Sequence, residues 1–153
     1  MNQKYKVEII WIVAVLAVLF ASMGINFYVT GMKSFSIATK ETPGEHLNGT
    51  IIQVTGVQWS WSFEINGVKS VDNFTLIVNH TYTMVVDSLP VGTGQAVIHD
   101  LLIPQFGIQV YAVPGQNNTI TFTPDKTGTF IFECVEYCGY DHYKMRGYFS
   151  VVK

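Results

Sequence analysis

The chain has 153 residues, of which 48% are hydrophobic and only 13% are charged, and its formal net charge is -2 at pH 7. This length suits one domain with a small additional segment, and the charge excludes a nucleic-acid-binding protein because no excess of lysine and arginine is present to neutralise phosphates. Two cysteines, Cys134 and Cys138, are too few for a disulfide-rich scaffold, so this close pair indicates a metal or redox site or one local disulfide.

The N-terminal segment, residues 1–30, is predicted to be a membrane anchor. It is apolar from Ile9 to Phe20 and remains largely apolar as far as Val29. A helix from Val7 to Val29 would rise about 35 Å, enough for the roughly 30 Å hydrocarbon core of a bilayer. A cleaved signal peptide is the alternative, but its apolar core is normally shorter and ends in small residues. We therefore expect this segment to contact membrane lipid.

The lysines before the apolar run predict the orientation of the anchor. Lys4 and Lys6 precede the run, so the positive-inside rule places the N-terminus in the cytoplasm. Residues from about 36 onward would then lie on the outer side of a plasma membrane that the chain crosses once. Residues 31–47 contain Gly, Ser, Thr, Lys, Glu and Pro and are predicted to be a linker from the membrane to a domain.

Residues 48–153 are predicted to form one mainly β domain. Short runs rich in β-branched and aromatic residues alternate with turn signals such as Asn66-Gly67 and Pro114-Gly115. About 105 residues in such short strands indicate a β-sandwich or barrel. The predicted strands are Thr50–Thr55, Gln58–Ile65, Phe74–Val78, Tyr82–Val86, Ile108–Val113, Thr119–Thr123, Thr129–Glu133 and Tyr148–Val152.

The C-terminal part of this domain carries a metal-ligand pattern, C-x3-C-x3-H-x2-M, formed by Cys134, Cys138, His142 and Met145. A fifth candidate, His99, lies upstream. Thiolate and thioether ligands are soft and suit copper, and copper also accepts imidazole. These ligands are too many for one blue-copper ion, which uses two His, one Cys and a weak axial Met. Two thiolates can instead bridge a pair of copper ions, each of which takes one imidazole and one weaker axial ligand.

This pattern resembles the binuclear copper (CuA) domain of cytochrome c oxidase subunit II, and the resemblance covers nearly the whole chain. The motifs that carry it, besides the anchor and the Cys-to-Met loop, are Gln58-Trp59-Ser60-Trp61-Ser62-Phe63-Glu64, Val97-Ile98-His99, Ile103-Pro104 and Ala112-Val113-Pro114-Gly115. The resemblance implies a cupredoxin-like Greek-key barrel or sandwich after one transmembrane helix. It implies two copper ions bridged by Cys134 and Cys138, bound by His99 and His142, with Met145 and the Glu136 carbonyl as axial ligands.

The same resemblance implies a function and partners. The chain would accept electrons from an external donor and pass them to haem in a partner, subunit I, where oxygen is reduced and protons are translocated. Trp59 or Trp61 matches the aromatic patch where the donor docks, and Glu136 matches a residue that meets magnesium against subunit I in many members. Only one predicted helix precedes the copper domain, which is typical of single-helix prokaryotic members.

Several alternatives remain open at this level. The acidic residues that receive a basic cytochrome c are sparse here, so a small copper protein or a Rieske-type protein are further candidates for the donor. The partner's substrate could be nitric oxide instead of oxygen. A thioredoxin-like copper-delivery protein also has C-x3-C, but there the histidine follows the cysteines, whereas His99 precedes them.

Overall fold

The computed structural model describes residues 3–30, 36–37, 39–40 and 47–153. The chain divides into two compact units, Met1–Ser34 and Phe35–Lys153. Most of the predicted linker 31–47 lies outside the described residues. Four residues of this segment that are described belong to two short strands, 36–37 and 39–40. The rest of the linker prediction stays a prediction.

The first unit contains helix α1, Gln3–Thr30. The stretch Tyr5–Tyr28 is long and apolar enough to cross a membrane, and none of it is buried within the protein. Because it contains no proline and a single glycine, Gly24, nothing in its sequence interrupts the helix. The predicted N-terminal apolar helix is confirmed.

The second unit is built from strands and two single helical turns. Its described strands are β1 (Ser36–Ile37), β2 (Thr39–Lys40), β3 (Thr50–Val57), β4 (Ser60–Ile65), β5 (Val68–Val71), β6 (Asn73–Ile77), β7 (Tyr82–Ser88), β8 (His99–Ile103), β9 (Ile108–Ala112), β10 (Asn118–Phe122), β11 (Gly128–Cys134) and β12 (Arg146–Val152). The helical turns are Pro104–Phe106 and His142–Lys144. All eight predicted strands are present, with ends shifted by up to two residues.

Apart from the two-residue strands β1 and β2, the strands that were not predicted are β5 and β8. β5 is a short edge strand whose Val68 and Val71 are exposed, so it lacks the alternation of a half-buried strand. β8 begins with the polar pair His99-Asp100, which hides its strand character in the sequence. The Asn66-Gly67 turn that leads into β5 was predicted. Both residues have positive φ, 51° and 78°, as a two-residue hairpin of the favoured twist requires.

The strands form two six-stranded sheets that pack as a β-sandwich, which confirms the mainly β fold class. The first sheet has the order β1-β9-β8-β11-β12-β6, and the second has the order β2-β10-β7-β3-β4-β5. Aromatic side chains join the sheets: Phe63 of the second sheet lies 4.2 Å from Phe74 and 5.0 Å from Phe132 of the first, measured between ring centroids.

A β-sandwich of this kind is not a thioredoxin fold, so the structure excludes the alternative of a thioredoxin-like copper-delivery protein.

One end of the sandwich gathers the strand ends that concern function, and we call it the upper end. β3 and β7 run parallel and finish together, with Gly56 opposite Ser88. β8 starts where β9 finishes, with His99 opposite Ala112. A bridge between Ser88 and Pro114 links the two sheets at this level. The upper end therefore contains the end of β11 as well, because that strand pairs with the beginning of β8.

Candidate metal centre

Two neighbouring strands place the first imidazole beside the first thiol. β8 begins at His99, and β11 ends at Cys134, which pairs with Leu101. The next residue, Val135, donates its N–H to the carbonyl of Asp100 at 2.9 Å, so the pairing continues past the end of β11. As a result, the His99 Nδ1 atom lies 3.8 Å from the Cys134 Sγ atom, and His99 is completely buried.

The loop between β11 and β12 closes over the same point and supplies the remaining candidate ligands. Cys134 N–H donates to the Met145 carbonyl at 2.9 Å, which joins the two ends of the loop. Within the loop, Cys138 Sγ lies 3.3 Å from His142 Nδ1 and 3.6 Å from Met145 Sδ. The Cys134 thiol donates to the Glu136 carbonyl at 3.3 Å. All six ligand candidates therefore lie in one cluster.

The cluster fits a soft metal centre. The ligand atoms of His99, Cys134 and Cys138 lie within 4.8 Å of one another, and all three residues are buried. The cysteines are free rather than joined by a disulfide. Metal–ligand bonds of about 2.0–2.3 Å at tetrahedral angles separate neighbouring ligand atoms by roughly 3.3–3.8 Å, the spacing found here. Each sulfur has its own imidazole neighbour, His99 for Cys134 and His142 for Cys138.

Burial sets the protonation of these groups. It raises the pKa of the Cys134 thiol, and together with the neighbouring Cys134 it raises the pKa of Cys138 to about 12. Burial, and then the charge of His142, lower the pKa of His99 to about 4. The His99 imidazole is thus neutral at pH 7, the form that binds metals. Two thiolates are costly to bury here without a cation, and a bound metal supplies that cation.

The His99 ring is held by shape rather than by a second hydrogen bond. Its Nε2 atom is buried and has no hydrogen-bond partner among the described residues. The edge of Trp61 approaches the ring, with centroids 5.8 Å apart. On another side lies Gly56 of β3, where an added Cβ would come within 3.0 Å of both His99 Cδ2 and Trp61 Cζ3. Any side chain at this position would push the His99 or Trp61 ring aside by a few tenths of an ångström, a role of Gly56 that the sequence did not reveal.

The two tryptophans predicted to meet a donor differ in exposure. Trp61 is 0% exposed and packs in the core, so it cannot contact another protein, and its predicted docking role is corrected. It points inward because alternate β4 residues, Trp61 and Phe63, face the opposite sheet. Trp59 is partly exposed and remains a candidate. Alternation in the sequence showed that these residues share a face, but it could not show that this face is the buried one.

The segment before β4 also supports the metal loop. Gln58 Nε2 donates to the Cys138 carbonyl at 2.6 Å, and Trp59 Nε1 donates to the same oxygen at 3.3 Å. These bonds fix the backbone of a candidate ligand from outside its own loop. Sequence reasoning missed Gln58, although it begins the aromatic motif used for the resemblance.

Asp100 is a buried carboxylate behind His99. It is 2% exposed, and its Oδ2 atom accepts a hydrogen bond from Gln109 Nε2 at 2.5 Å. Burial raises its pKa, and Glu136 raises it further, while the bond from Gln109 lowers it. The side chain ties β8 to β9 at the level of the metal cluster.

Comparison with known proteins gives a consistent result. Residues 84–152 match the family model of the cytochrome C oxidase subunit II periplasmic domain. Cytochrome c oxidase subunit 2 of Lycodon semicarinatus is 33% identical over an alignment of 108 positions, which covers 60% of this chain and 47% of the relative. The chain spans 44% to 65% of the length of the first curated relatives that it matches.

Solved structures support the fold. The periplasmic domain of subunit II of cytochrome oxidase (CoxB) of Bradyrhizobium japonicum is 27% identical, with a TM-score of 0.61, over 70% of this chain and 87% of that one. A chain from a cryo-EM structure of a heme-copper terminal oxidase dimer has a TM-score of 0.62 over 95% of this chain and 99% of that one. At 20% identity, the second likeness concerns the fold alone. The predicted resemblance and cupredoxin-like fold are confirmed.

Proposed function

We propose that this chain, whose residues 84–152 match the cytochrome c oxidase subunit II family model, is the electron-entry subunit of a respiratory haem–copper terminal oxidase. It would accept electrons from an external one-electron donor and pass them to haem in subunit I, where oxygen is reduced and protons are translocated. The observation that carries this proposal is the cluster of two free, buried thiols with an imidazole beside each.

The cofactor that we propose is a binuclear copper centre. Cys134, Cys138, His99 and His142 would hold the two ions, together with Met145 and the Glu136 carbonyl. When bound, such a pair supplies a one-electron carrier with soft, shared ligands. The protein would hold this geometry by packing, since His99 is confined by Gly56 and Trp61 and the loop is bonded to Gln58 and Trp59.

A magnesium ion is proposed as a second cofactor at the contact with subunit I. The Glu136 side chain is exposed while its carbonyl faces the thiol of Cys134. One residue could therefore serve two ions, with its backbone oxygen at the copper site and its carboxylate at a cation held jointly with the partner. A carboxylate is a ligand that Mg²⁺ accepts readily.

The proposed location is the plasma membrane of a prokaryote. α1 would cross the bilayer once with its N-terminus in the cytoplasm, and the sandwich would lie on the outer side, where a cytochrome c, a small copper protein or a Rieske-type protein can reach it. The length and apolar character of Tyr5–Tyr28 support the anchor, and the two lysines before it support the orientation.

The test is whether electrons from a protein donor reach haem through this chain. An affinity tag on the chain should isolate a haem-bearing partner from membranes, and donor-driven reduction of that haem can be followed by stopped-flow absorbance. We expect His142→Asn to slow it at least about tenfold, because loss of a metal ligand removes the entry site. His80→Asn is the matched control, since His80 is exposed and bonds to Thr50 at 2.7 Å.

Two outcomes would contradict the proposal. The first is purification of the chain without any haem protein. The second is donor-driven haem reduction that is equally fast in His142→Asn and His80→Asn. A small chemical reductant that reaches haem directly should work equally well in both variants, which shows that the partner itself is intact.

A further inference from the structure

The sandwich carries several copies of a motif that the proposed function does not use. Asn-x-Ser/Thr, in which x is not proline, is the acceptor site of N-linked glycans. It occurs at Asn48, Asn73, Asn79 and Asn117, each time with threonine. The chain contains eight asparagines and 22 serines and threonines among 153 residues, so random placement would give about one motif. The motif is therefore in excess, and all four of its asparagines are exposed.

Two of the motifs lie side by side at the end of the sandwich opposite the upper end, which we call the lower end. β3 and β7 run parallel and both begin there. The motif at 48–50 leads into β3, and the motif at 79–81 leads into β7. Thr50 N–H donates to the Thr81 carbonyl at 3.0 Å, and the Thr50 hydroxyl is hydrogen-bonded to His80 Nε2 at 2.7 Å. The two motifs therefore form one connected unit.

The acceptor nitrogens of this pair are accessible. Asn48 and Asn79 are exposed, and neither side chain has a hydrogen bond to another residue that the structure describes. Asn79 lies in a turn with a φ of 60°, which asparagine tolerates, and its backbone N–H donates to the Pro124 carbonyl at 2.8 Å. The backbone of Asn79 is thus held in place, while its side-chain amide is available for modification.

The other two motifs are less suited to modification. Asn73 Nδ2 donates to the Val71 carbonyl at 3.0 Å, so its acceptor nitrogen is already engaged. Thr119, which completes the motif of Asn117, is 5% exposed within β10. The lower end is therefore the favoured place of attachment.

The composition of the sandwich gives a glycan a physical role. Residues 47–153 contain thirteen charged side chains among 107 residues. In soluble proteins about a quarter of the residues are typically charged, roughly twice this share. N-linked glycans are bulky and solubilising. At the lower end they would add solvation without covering the metal centre, because Gly56, which confines His99, lies at the other end of β3.

We propose that Asn48 and Asn79 each carry an N-linked glycan. The inference rests on the proposed function through its location, since it requires the sandwich to lie on the outer side of the membrane. The co-reactant is an oligosaccharide joined to a membrane lipid through phosphate. The asparagine Nδ2 bonds to the anomeric carbon, the bond from that carbon to the phosphate oxygen breaks, and the lipid phosphate leaves with the bonding electrons while the amide loses one proton. Because a glycan is bulky, the lower end faces solvent and not subunit I.

The test uses the chain purified with its partner from membranes of the native organism. Intact-mass spectrometry compares the chain with the 17.1 kDa of its unmodified form, and fragmentation of its peptides locates any added mass. We expect two additions that release sugar fragments, one on Asn48 and one on Asn79.

Matched substitutions test the motif itself. Thr50→Val and Thr81→Val remove a hydroxyl and keep a β-branched side chain, so each should abolish one glycan. Thr50→Ser and Thr81→Ser keep the hydroxyl and its hydrogen bond, so each should retain the glycan. Val68→Thr completes a new motif at Asn66, an exposed turn residue with a φ of 51°, and should add a third glycan.

Two results would overturn the inference: a chain with the unmodified mass, or glycans that persist in Thr50→Val and Thr81→Val. Labelling intact cells with an amine reagent that cannot cross the membrane separates this failure from a failure of the proposed location. An unmodified chain that is labelled at Lys69, whose side chain is 73% exposed, removes only the glycan inference. An unmodified chain that escapes labelling removes the outer location as well. Neither result bears on the copper centre, which the haem-reduction assay tests.

Discussion

Replacing Gly56 with alanine should disturb the metal centre without touching a ligand. The added Cβ would lie 3.0 Å from His99 Cδ2 and 3.0 Å from Trp61 Cζ3, and both rings are 0% exposed. Favourable carbon–carbon contacts are about 3.5–4.0 Å, so the methyl group is roughly 0.5–1 Å too close on two sides. Gly56 is not at a positive φ, so the effect is steric rather than a matter of backbone strain.

Two magnitudes follow from this crowding. Overpacking a filled core costs about 1–3 kcal/mol, so the domain should stay folded at a measurably lower free energy of unfolding. The His99 ring must move by a few tenths of an ångström or more, whereas metal–ligand distances tolerate only about 0.2 Å. Loss of support around a metal ligand typically lowers affinity about 10- to 100-fold. We expect a copper affinity reduced in that range and a changed copper hyperfine pattern.

The assay combines urea unfolding, copper titration and electron paramagnetic resonance on the detergent-solubilised chain. Gly24→Ala is the control, because nothing lies within 4 Å of the Cβ that it adds. If Gly56→Ala binds copper within twofold of the original and keeps the same spectrum, then His99 is not confined by Gly56 and the steric account is wrong.

Three further predictions follow from single contacts. Phe132→Ala should lower the free energy of unfolding by about 3–5 kcal/mol in urea titrations, since the ring is fully buried between the sheets; a loss below about 1 kcal/mol would contradict this. Burial raises the pKa of the Asp72 carboxyl above its ordinary 3.8. The folded protein therefore binds this proton more tightly than the unfolded chain does. Above the folded pKa, where the carboxyl is charged, its burial lowers the free energy of unfolding. Asp72→Asn, which can still accept the Trp61 N–H at 2.8 Å, should raise the urea midpoint at pH 7, with a gain that shrinks as the pH falls to 3.8 and below; a gain independent of pH would refute the assignment. Met145→Leu conserves volume, so stability should change by less than about 1.5 kcal/mol, while loss of the thioether 3.6 Å from Cys138 Sγ should alter the copper spectrum; an unchanged spectrum would exclude Met145 as a ligand.

The sequence predicts those ligand candidates that lie close together in the chain. Cys134, Cys138, His142 and Met145 lie within twelve residues, so their spacing alone places them on one loop, and soft ligands at that spacing indicate copper. His99 is 35 residues away from Cys134. Its position beside Cys134 could not be predicted from spacing, because nothing in the sequence shows that β8 pairs with the end of β11.

The supporting contacts could not be predicted because they depend on the packing of one sheet against the other. Gly56 has no sequence signal of its own, and its role appears only when β3 faces the His99 ring. Gln58 reaches Cys138 across 80 positions of sequence. The predicted docking role of Trp61 was wrong because an aromatic residue on a strand can pack in the core or lie on a docking surface. Only its burial in the structure distinguishes the two.

The most direct test of the central claim is copper stoichiometry measured together with the electron paramagnetic resonance spectrum of the full-length, copper-loaded chain. The account predicts two copper ions per chain, with one unpaired electron shared by both nuclei, and loss of that sharing in Cys138→Ser. One copper ion per chain with the electron confined to a single nucleus would contradict it. So would a shared-electron spectrum that survives in Cys138→Ser.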